Sequence, residues 1–254
     1  MKKHLVKSLV FGLWSLVLLL PACAKKEFQI GREDPEKEIQ KCVQLSEKKH
    51  YEEAVQCLEI FKSRFPDTPS GQEAGLKIAD TQFLQHQYLL AADSYLAFAK
   101  LNPNHPQTEY AFTRAGLSYL QEAPKAIDRD QEYLYKARET LNKAAQFHGT
   151  YHDLVVKTSN EIDGRLARRL FYIGRFYYRT GEYKAAIPRL EELVQKYPKT
   201  PRVPRALYLL TQSNLKLGKI DKAREAVQNL IENFPKESWT KKAQDHYIKV
   251  AKKS

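Results

Sequence analysis

The sequence predicts an all-α fold, an α-solenoid of five helical hairpins closed by a capping helix at its C-terminal end. An alanine and a proline twelve residues apart recur along the chain, and the copies that begin at Ala54 and Ala91, and at Ala186 and Ala223, lie 37 residues apart. The clear pairs are Ala54 and Pro66, Ala91 and Pro103, Ala186 and Pro198, and Ala223 and Pro235. Ala137 opens a weaker copy in which Gly149 stands where proline is expected. Because one hairpin cannot bury its apolar faces alone, this recurrence indicates stacked repeats.

The copy that ends at Pro198 shows the physical basis of the repeat. Apolar residues recur at steps of three and four along its first helix, at Leu166, Leu170, Ile173 and Tyr177, so they form one stripe. Gly174 lies in this stripe, where the absence of a side chain allows a second helix to approach. Gly181 supplies the turn, and Ala186 begins the packing face of the second helix. This spacing is typical of the tetratricopeptide (TPR) repeat.

The repeats together predict a single superhelical domain, residues 34–254. The predicted repeats cover approximately residues 34–66, 72–103, 109–149, 153–198 and 205–235, and the capping helix covers 237–252. Asp34 is the predicted N-cap of the first helix, with Pro35 as its first residue. A longer loop from Glu122 to Glu132 interrupts the third hairpin.

Residues 1–22 have the pattern of a secretory signal peptide. Lysines precede an apolar run from Leu9 to Leu20, which is shorter than the roughly 20 residues needed to span a bilayer. The segment Leu20-Pro21-Ala22-Cys23 resembles a bacterial lipobox, which predicts acylation of Cys23 and an acylated tether at 23–33. Ala24 in place of aspartate resembles sorting to the outer membrane, so we expect a lipid-anchored protein facing the periplasm. The alternative is an ordinary signal peptide with a chance cysteine.

Composition and motifs disfavour several classes of function. The chain carries 42 Lys and Arg against 30 Asp and Glu, a net charge of +12 that falls to +9 when the three lysines of the signal peptide are removed. Such a charge suits nucleic acid, anionic lipid or acidic partners, but export makes nucleic acid an unexpected partner, and the alternative is that the basic residues only solvate the surface. The sequence has no phosphate-binding loop, no H-E-x-x-H motif and no nucleophile elbow. We therefore expect a non-catalytic protein without a cofactor or a metal.

Two cysteines lie almost equally far on either side of the first predicted turn, Cys42 and Cys57. An oxidising periplasm would allow them to form a disulfide. Two small buried thiols are the equal alternative, because the sequence gives no geometry that decides between them.

The first helix of each repeat has exposed positions offset from its packing stripe, and these predict a binding groove. In the C-terminal half they are rich in arginine and aromatic residues, which interface hot spots favour. The candidates are Arg168, Phe171, Arg175, Tyr178, Arg205 and Tyr208. The alternative is that the arginines only solvate a helix face and the aromatic rings pack between repeats.

A segment between repeats two and three narrows the resemblance to one family. Residues 101–110 read L-N-P-N-H-P-Q-T-E-Y, and Arg114-Ala115-Gly116 follow. With the lipobox and five repeats, this stretch resembles the BamD (ComL) family, the TPR lipoproteins of the outer-membrane β-barrel assembly (BAM) machinery. Asp128-Arg129-Asp130 and Arg165-Leu166-Ala167 agree with the family as well.

The resemblance implies partners and site residues. Such a protein would bind BamA, through the POTRA domain nearest the barrel, with its C-terminal repeats, where Arg189 matches an arginine that the family uses. It would also help to receive unfolded outer-membrane proteins in an N-terminal groove, and other BAM lipoproteins are further expected partners. The candidates for the N-terminal groove are Leu76, Phe83, Asn102, His105, Tyr110 and Arg114.

Two departures from the family bear on these expectations. His148-Gly149 replaces the Tyr-Pro of the family, and the loop in repeat three is shorter, which bears on contacts with accessory lipoproteins. The alternative function is a periplasmic TPR lipoprotein scaffold for another envelope machine, such as pilus secretin assembly or cell-wall coordination. The N-P-x-H-P segment argues against it.

Overall fold

A computed structural model describes residue 30 and residues 34–252, and this part of the chain folds into eleven α-helices without a strand. This is the all-α solenoid that the sequence predicts. The helices are α1 Pro35–Glu47, α2 Tyr51–Arg64, α3 Pro69–Leu84, α4 Tyr88–Leu101, α5 Thr108–Glu122, α6 Glu132–Ala145, α7 His152–Arg179, α8 Tyr183–Lys196, α9 Val203–Lys216, α10 Ile220–Asn233 and α11 Ser238–Ala251. The predicted signal peptide, Cys23 and all of the predicted tether except Ile30 lie outside the described residues.

Each helix packs against the next along the chain, so α1 to α10 form five antiparallel hairpins and α11 packs on α9 and α10. Odd-numbered helices also contact one another, α1 with α3, α7 with α9, and α9 with α11. We call the face that the odd-numbered helices form the inner face, and the face of the even-numbered helices the outer face. Among the described helices, none is long and apolar enough to cross a membrane.

Four of the five hairpin turns share one backbone conformation. Five residues before Ala54, Ala91, Ala186 and Ala223 the chain adopts a positive φ, at Lys49 (64°), His86 (61°), Gly181 (83°) and Gly218 (70°), whereas the third hairpin has the longer α5–α6 loop instead. A left-handed residue ends the first helix of the pair and reverses the chain. Glycine adopts this conformation without strain, but in the first two repeats the residue is Lys49 or His86 and not glycine.

The N-terminal hairpin is joined covalently. A disulfide links Cys42 of α1 to Cys57 of α2 with a Cα–Cα distance of 5.4 Å. The sequence left a disulfide and two buried thiols as equal alternatives, and the structure contains the disulfide. Ile30 is buried against the same apolar cluster, which includes Leu58 and Phe61. Part of the predicted tether is therefore packed on the first hairpin.

The α5–α6 loop is held by α7, which is twice as long as most other helices. The guanidinium of Arg165 donates to the carbonyl oxygen of Pro124 at 3.0 Å, and that of Arg169 to the carbonyl oxygen of Ile127 at 2.7 Å. The buried amide of Gln131 donates to the carbonyl oxygen of Ala126 at 2.9 Å. The two charge-assisted bonds from the arginines fix the loop on repeat four, and the neutral Gln131 amide holds the loop to itself.

Candidate functional site

Two helices of the inner face, α7 and α9, enclose a basic cleft. We call it the arginine cleft; it has a volume of about 300 Å³, and its lining residues are Arg175, Tyr178, Arg179, Arg205 and Leu209. A hollow of about 380 Å³ adjoins it and shares Arg175 and Arg179, with Tyr172, Phe176 and Thr180 as the other lining residues. Neither set contains an acidic residue, so the cleft has a positive potential.

The arginines of the cleft differ in their partners from Arg165 and Arg169 of the same helix α7, although the exposed Arg168 also makes no side-chain hydrogen bond or ion pair within the described residues. Arg165 and Arg169 donate to loop carbonyls, whereas no hydrogen bond or ion pair within the described residues engages Arg175 or Arg179. Arg205 stacks over the rings of Phe171 and Trp239, at 5.3 and 5.1 Å from their centroids. Its charge is thus positioned without being neutralised.

Tyr178 contributes a neutral hydroxyl to the arginine cleft. Burial, with Tyr208 and Tyr183 nearby, raises the pKa of Tyr178 above its ordinary value, so the phenol stays protonated at neutral pH. The cleft therefore offers guanidinium donors and a hydroxyl without an internal anion.

Three further C-terminal candidates lie elsewhere. Phe171 is 4% exposed, so the prediction that it lines the groove is wrong; the ring belongs to the core and supports Arg205 from beneath. Tyr208 packs its ring against Trp239 at 5.1 Å. Arg168 is exposed on α7 but does not line the arginine cleft.

In the N-terminal half, the side chains of Tyr95, Tyr110 and Arg114 form a hydrogen-bond network with Asp80. Its carboxylate accepts hydrogen bonds from the hydroxyls of Tyr95 and Tyr110, and Arg114 donates to the Tyr95 hydroxyl at 3.2 Å. The Arg114 guanidinium also lies over the ring of Phe83, 3.9 Å from its centroid. Burial and the neighbouring Asp80 raise the pKa of both tyrosines, so the network holds its protons and ties α3, α4 and α5 together.

The other N-terminal candidates do not join this network. Leu76 is 2% exposed, so its prediction as a groove residue is wrong: it points into the core between α3 and α4. Asn102 and His105 shape the α4–α5 connector, where the Asn102 amide donates to the carbonyl oxygen of Phe98 at 3.0 Å and His105 Nδ1 accepts from the backbone N–H of Gln107 at 3.2 Å. The six predicted residues thus do not form one surface.

A cleft on the outer face was not predicted. It lies between α2 and α4 with α3 as its floor, has a volume of about 720 Å³, and we call it the outer cleft. Leu90 and Leu101, 49% and 70% exposed, line it together with Ile78, Phe98 and the polar Asn102. Leu101, two residues before the repeat proline Pro103, was the signal that the sequence offered for an apolar surface here.

Arg189 lies on α8, on the outer face. Its side chain is 52% exposed, and its guanidinium is 3.7 Å from the carboxylate of Glu192. Lys196 contacts the same carboxylate more closely, at 2.9 Å. Arg189 is therefore only weakly held by its own helix and separated from the arginine cleft on α7.

The described residues contain no group of three or more His, Cys, Asp or Glu side chains that could hold a metal ion. His148 and His152 stack with ring centroids 5.3 Å apart, and no third ligand converges on them. Tyr172 and Phe176, two exposed rings beside the arginine cleft, are residues that the sequence analysis did not single out. Tyr172, Arg175, Phe176 and Arg179 are separated by steps of three and four residues, so all four side chains lie on one face of helix α7.

Comparison with known proteins identifies relatives over most of the chain. A family model described as YfiO, outer membrane lipoprotein, matches residues 32–230. The chain is 29% identical to outer membrane protein assembly factor BamD of Rickettsia prowazekii, over 77% of this chain and 78% of that protein. It is 27% identical to BamD of Neisseria meningitidis, over 87% and 90%. Among solved structures, a TPR protein of Thermus thermophilus is 19% identical over 86% of this chain and 99% of that chain, with a TM-score of 0.34.

Proposed function

Because the chain belongs to the YfiO family of outer membrane lipoproteins, we propose that it is a non-catalytic subunit of the outer-membrane β-barrel assembly complex. In this role it is anchored to the outer membrane through acyl chains on Cys23 and faces the periplasm. Relatives named outer membrane protein assembly factor BamD match most of the chain and support this proposal. Multiple acyl chains would hold the protein stably, since a single chain gives only marginal anchoring.

The partner in this proposal is BamA, through the POTRA domain nearest the barrel. The observation that carries it is the state of Arg189: the side chain is half exposed and loosely paired at 3.7 Å, so binding would not have to break a strong internal bond. A guanidinium can bind one carboxylate with two parallel hydrogen bonds, which lysine cannot reproduce. Other BAM lipoproteins would occupy further surfaces of the solenoid.

The N-terminal repeats would help to receive unfolded outer-membrane proteins. The outer cleft supports this role, because its exposed Leu90 and Leu101 offer apolar contacts to a chain that has not yet buried its own apolar residues. Phe83, Tyr110 and Arg114 would shape the inner face beside it rather than act as free contacts, because the Asp80 network already engages them.

The contact at Arg189 is tested by binding to isolated BamA POTRA domains. Arg189→Glu should weaken binding by about 2–5 kcal/mol, because it removes one partner of a desolvated charge pair and adds repulsion. Lys184→Glu is the matched control: it makes the same charge change in α8, about 140° away around the helix. Arg175→Glu, in the arginine cleft, should leave this affinity unchanged.

Circular dichroism should show the same helix content for all three variants. Full-strength binding by Arg189→Glu would contradict the proposed contact. Equal weakening by Arg175→Glu would show instead that BamA occupies the inner face.

A further inference from the structure

The arginine cleft combines two features that point to a ligand. Three guanidinium groups, those of Arg175, Arg179 and Arg205, line one cavity of about 300 Å³ that contains no acidic residue. Like charges that share a cavity repel one another, and within the described residues no carboxylate lies on Arg175 or Arg179 to offset this. The cleft is thus electrostatically incomplete until an anion enters.

Other arginines of the described chain are held by the fold, although the side chains of Arg64, Arg129 and Arg168, which lie outside the cleft, also make no hydrogen bond or ion pair there. Arg138 is paired with Asp163 at 2.7 Å, and Arg165 and Arg169 donate to loop carbonyls at 3.0 and 2.7 Å. These arginines stabilise the fold. Arg175 and Arg179 lie further along the same helix α7 and make no such bond.

Apolar surface lies directly beside the charges. The rings of Tyr172 and Phe176 are 49% and 56% exposed, and they line the hollow that shares Arg175 and Arg179 with the cleft. Exposed aromatic rings next to arginine are the composition that protein interfaces favour at their centres. A free phosphate or another small anion would leave these rings uncovered.

We propose that the arginine cleft is a docking site for an acidic polypeptide segment that carries a large apolar side chain between its carboxylates. Each guanidinium group would donate two parallel hydrogen bonds to a carboxylate of the segment. The apolar side chain would cover Tyr172 and Phe176. This site does not rest on the proposed contact at Arg189, which lies on α8.

The membrane is the competing anionic surface, and the geometry disfavours it. Clusters of basic residues attract anionic lipids when they lie close to the membrane surface, because the attraction falls off within a Debye length. Here Arg175 and Arg205 are half-buried between two helices, where a narrow chain fits better than a surface. Lipid binding becomes an outcome of the test.

The test uses the purified protein and a short fluorescent peptide of aspartate and glutamate with one central tryptophan, measured by anisotropy. Arg175→Gln and Arg179→Gln should each weaken binding about tenfold, as expected of hot-spot arginines. Phe176→Ser should weaken it by a smaller factor. Lys184→Gln, which removes one charge from α8, should leave the affinity within about twofold, since exposed charges contribute little.

Two further measurements decide the interpretation. A peptide with asparagine and glutamine in place of the acids should not bind, and vesicles of anionic phospholipid should bind Arg175→Gln as well as they bind the parent protein. Vesicle binding that falls in Arg175→Gln while peptide binding stays constant would overturn the proposal in favour of lipid. Equal loss in Lys184→Gln would overturn it in favour of general charge attraction. Thermal unfolding shows whether each variant keeps the fold. Because Arg179 is exposed, Arg179→Gln is the variant that should disturb the fold least.

Discussion

At the scale of single residues, Gly174 determines how closely α7 and α8 approach. A Cβ atom placed on Gly174 would lie 2.7 Å from Cδ2 of Leu190, which is fully buried. Gly116 has the same relation to Leu141 in the third hairpin, at 2.6 Å from its Cγ. Since the surrounding core is close-packed, neither leucine can move freely to make room.

Gly174→Ala should therefore destabilise the protein, although alanine is the better helix former. Overpacking typically costs about 1–3 kcal/mol, which exceeds the roughly 1 kcal/mol of helix propensity gained. Gly164→Ala is the matched control in the same helix, because no atom lies within 4 Å of a Cβ there. It should stabilise by about 0.5–1 kcal/mol. Chemical unfolding measures both, and equal shifts in the two variants would contradict the close packing of α7 on α8.

Residue-level prediction from the sequence succeeded where a single helix face decides the outcome and failed where several neighbours decide it. Gly174 was predicted as a point of close approach, but its nearest partner is Leu190 rather than the small Ala186. Phe171 and Leu76 were assigned to a groove because they lie off the main stripe. In the structure an odd-numbered helix packs against the helix before it and the helix after it, so residues beside the stripe are buried too.

At the scale of elements, the first hairpin is a terminal repeat of the described solenoid. α1 packs on α2 and α3 and has no preceding repeat among the described residues. Terminal repeats of a solenoid have one stacking interface instead of two and are correspondingly less stable. The Cys42–Cys57 disulfide and the buried Ile30 reinforce this end.

Replacing both Cys42 and Cys57 with alanine should destabilise the first hairpin by about 3 kcal/mol, the loop-closure value for a separation of 15 residues. Amide hydrogen exchange measures the effect, with α1 and α2 losing protection while α9 and α10 keep theirs. A reductant should reproduce the loss in the parent protein and have no effect on the double variant. Unchanged protection of α1 would contradict the stabilising role of the bond.

The helical hairpins themselves were largely predictable, because the repeat alanine and proline set their spacing. The turn near Lys49 and His50 was predicted as well, but the positive φ at Lys49 (64°) and His86 (61°) was not, since neither residue type by itself requires that conformation. There the packing of the two helices, and not the local preference of the turn residue, determines the conformation. Leu101 could indicate an apolar surface near the outer cleft, but the cleft itself could not be predicted, because it depends on the separation of α2 and α4.

At the scale of the whole molecule, the solenoid separates its surfaces along its length and between its faces. The outer cleft lies on repeats one and two, Arg189 lies on the outer face of repeat four, and the arginine cleft lies on the inner face of repeats four and five. An extended helical stack can bind several partners at once because each repeat contacts only its neighbours. This arrangement suits a subunit that holds other proteins together.

The central claim, membership of the β-barrel assembly complex, is tested most directly by copurification. A tagged protein is expressed in its own cells, crosslinked in intact membranes and isolated, and the partners are identified by mass spectrometry. The account predicts the BamA homologue as the main partner, recovered with the parent protein and with Lys184→Glu but reduced with Arg189→Glu. Recovery of a pilus secretin or of cell-wall synthesis proteins, with no BamA homologue, would contradict the account.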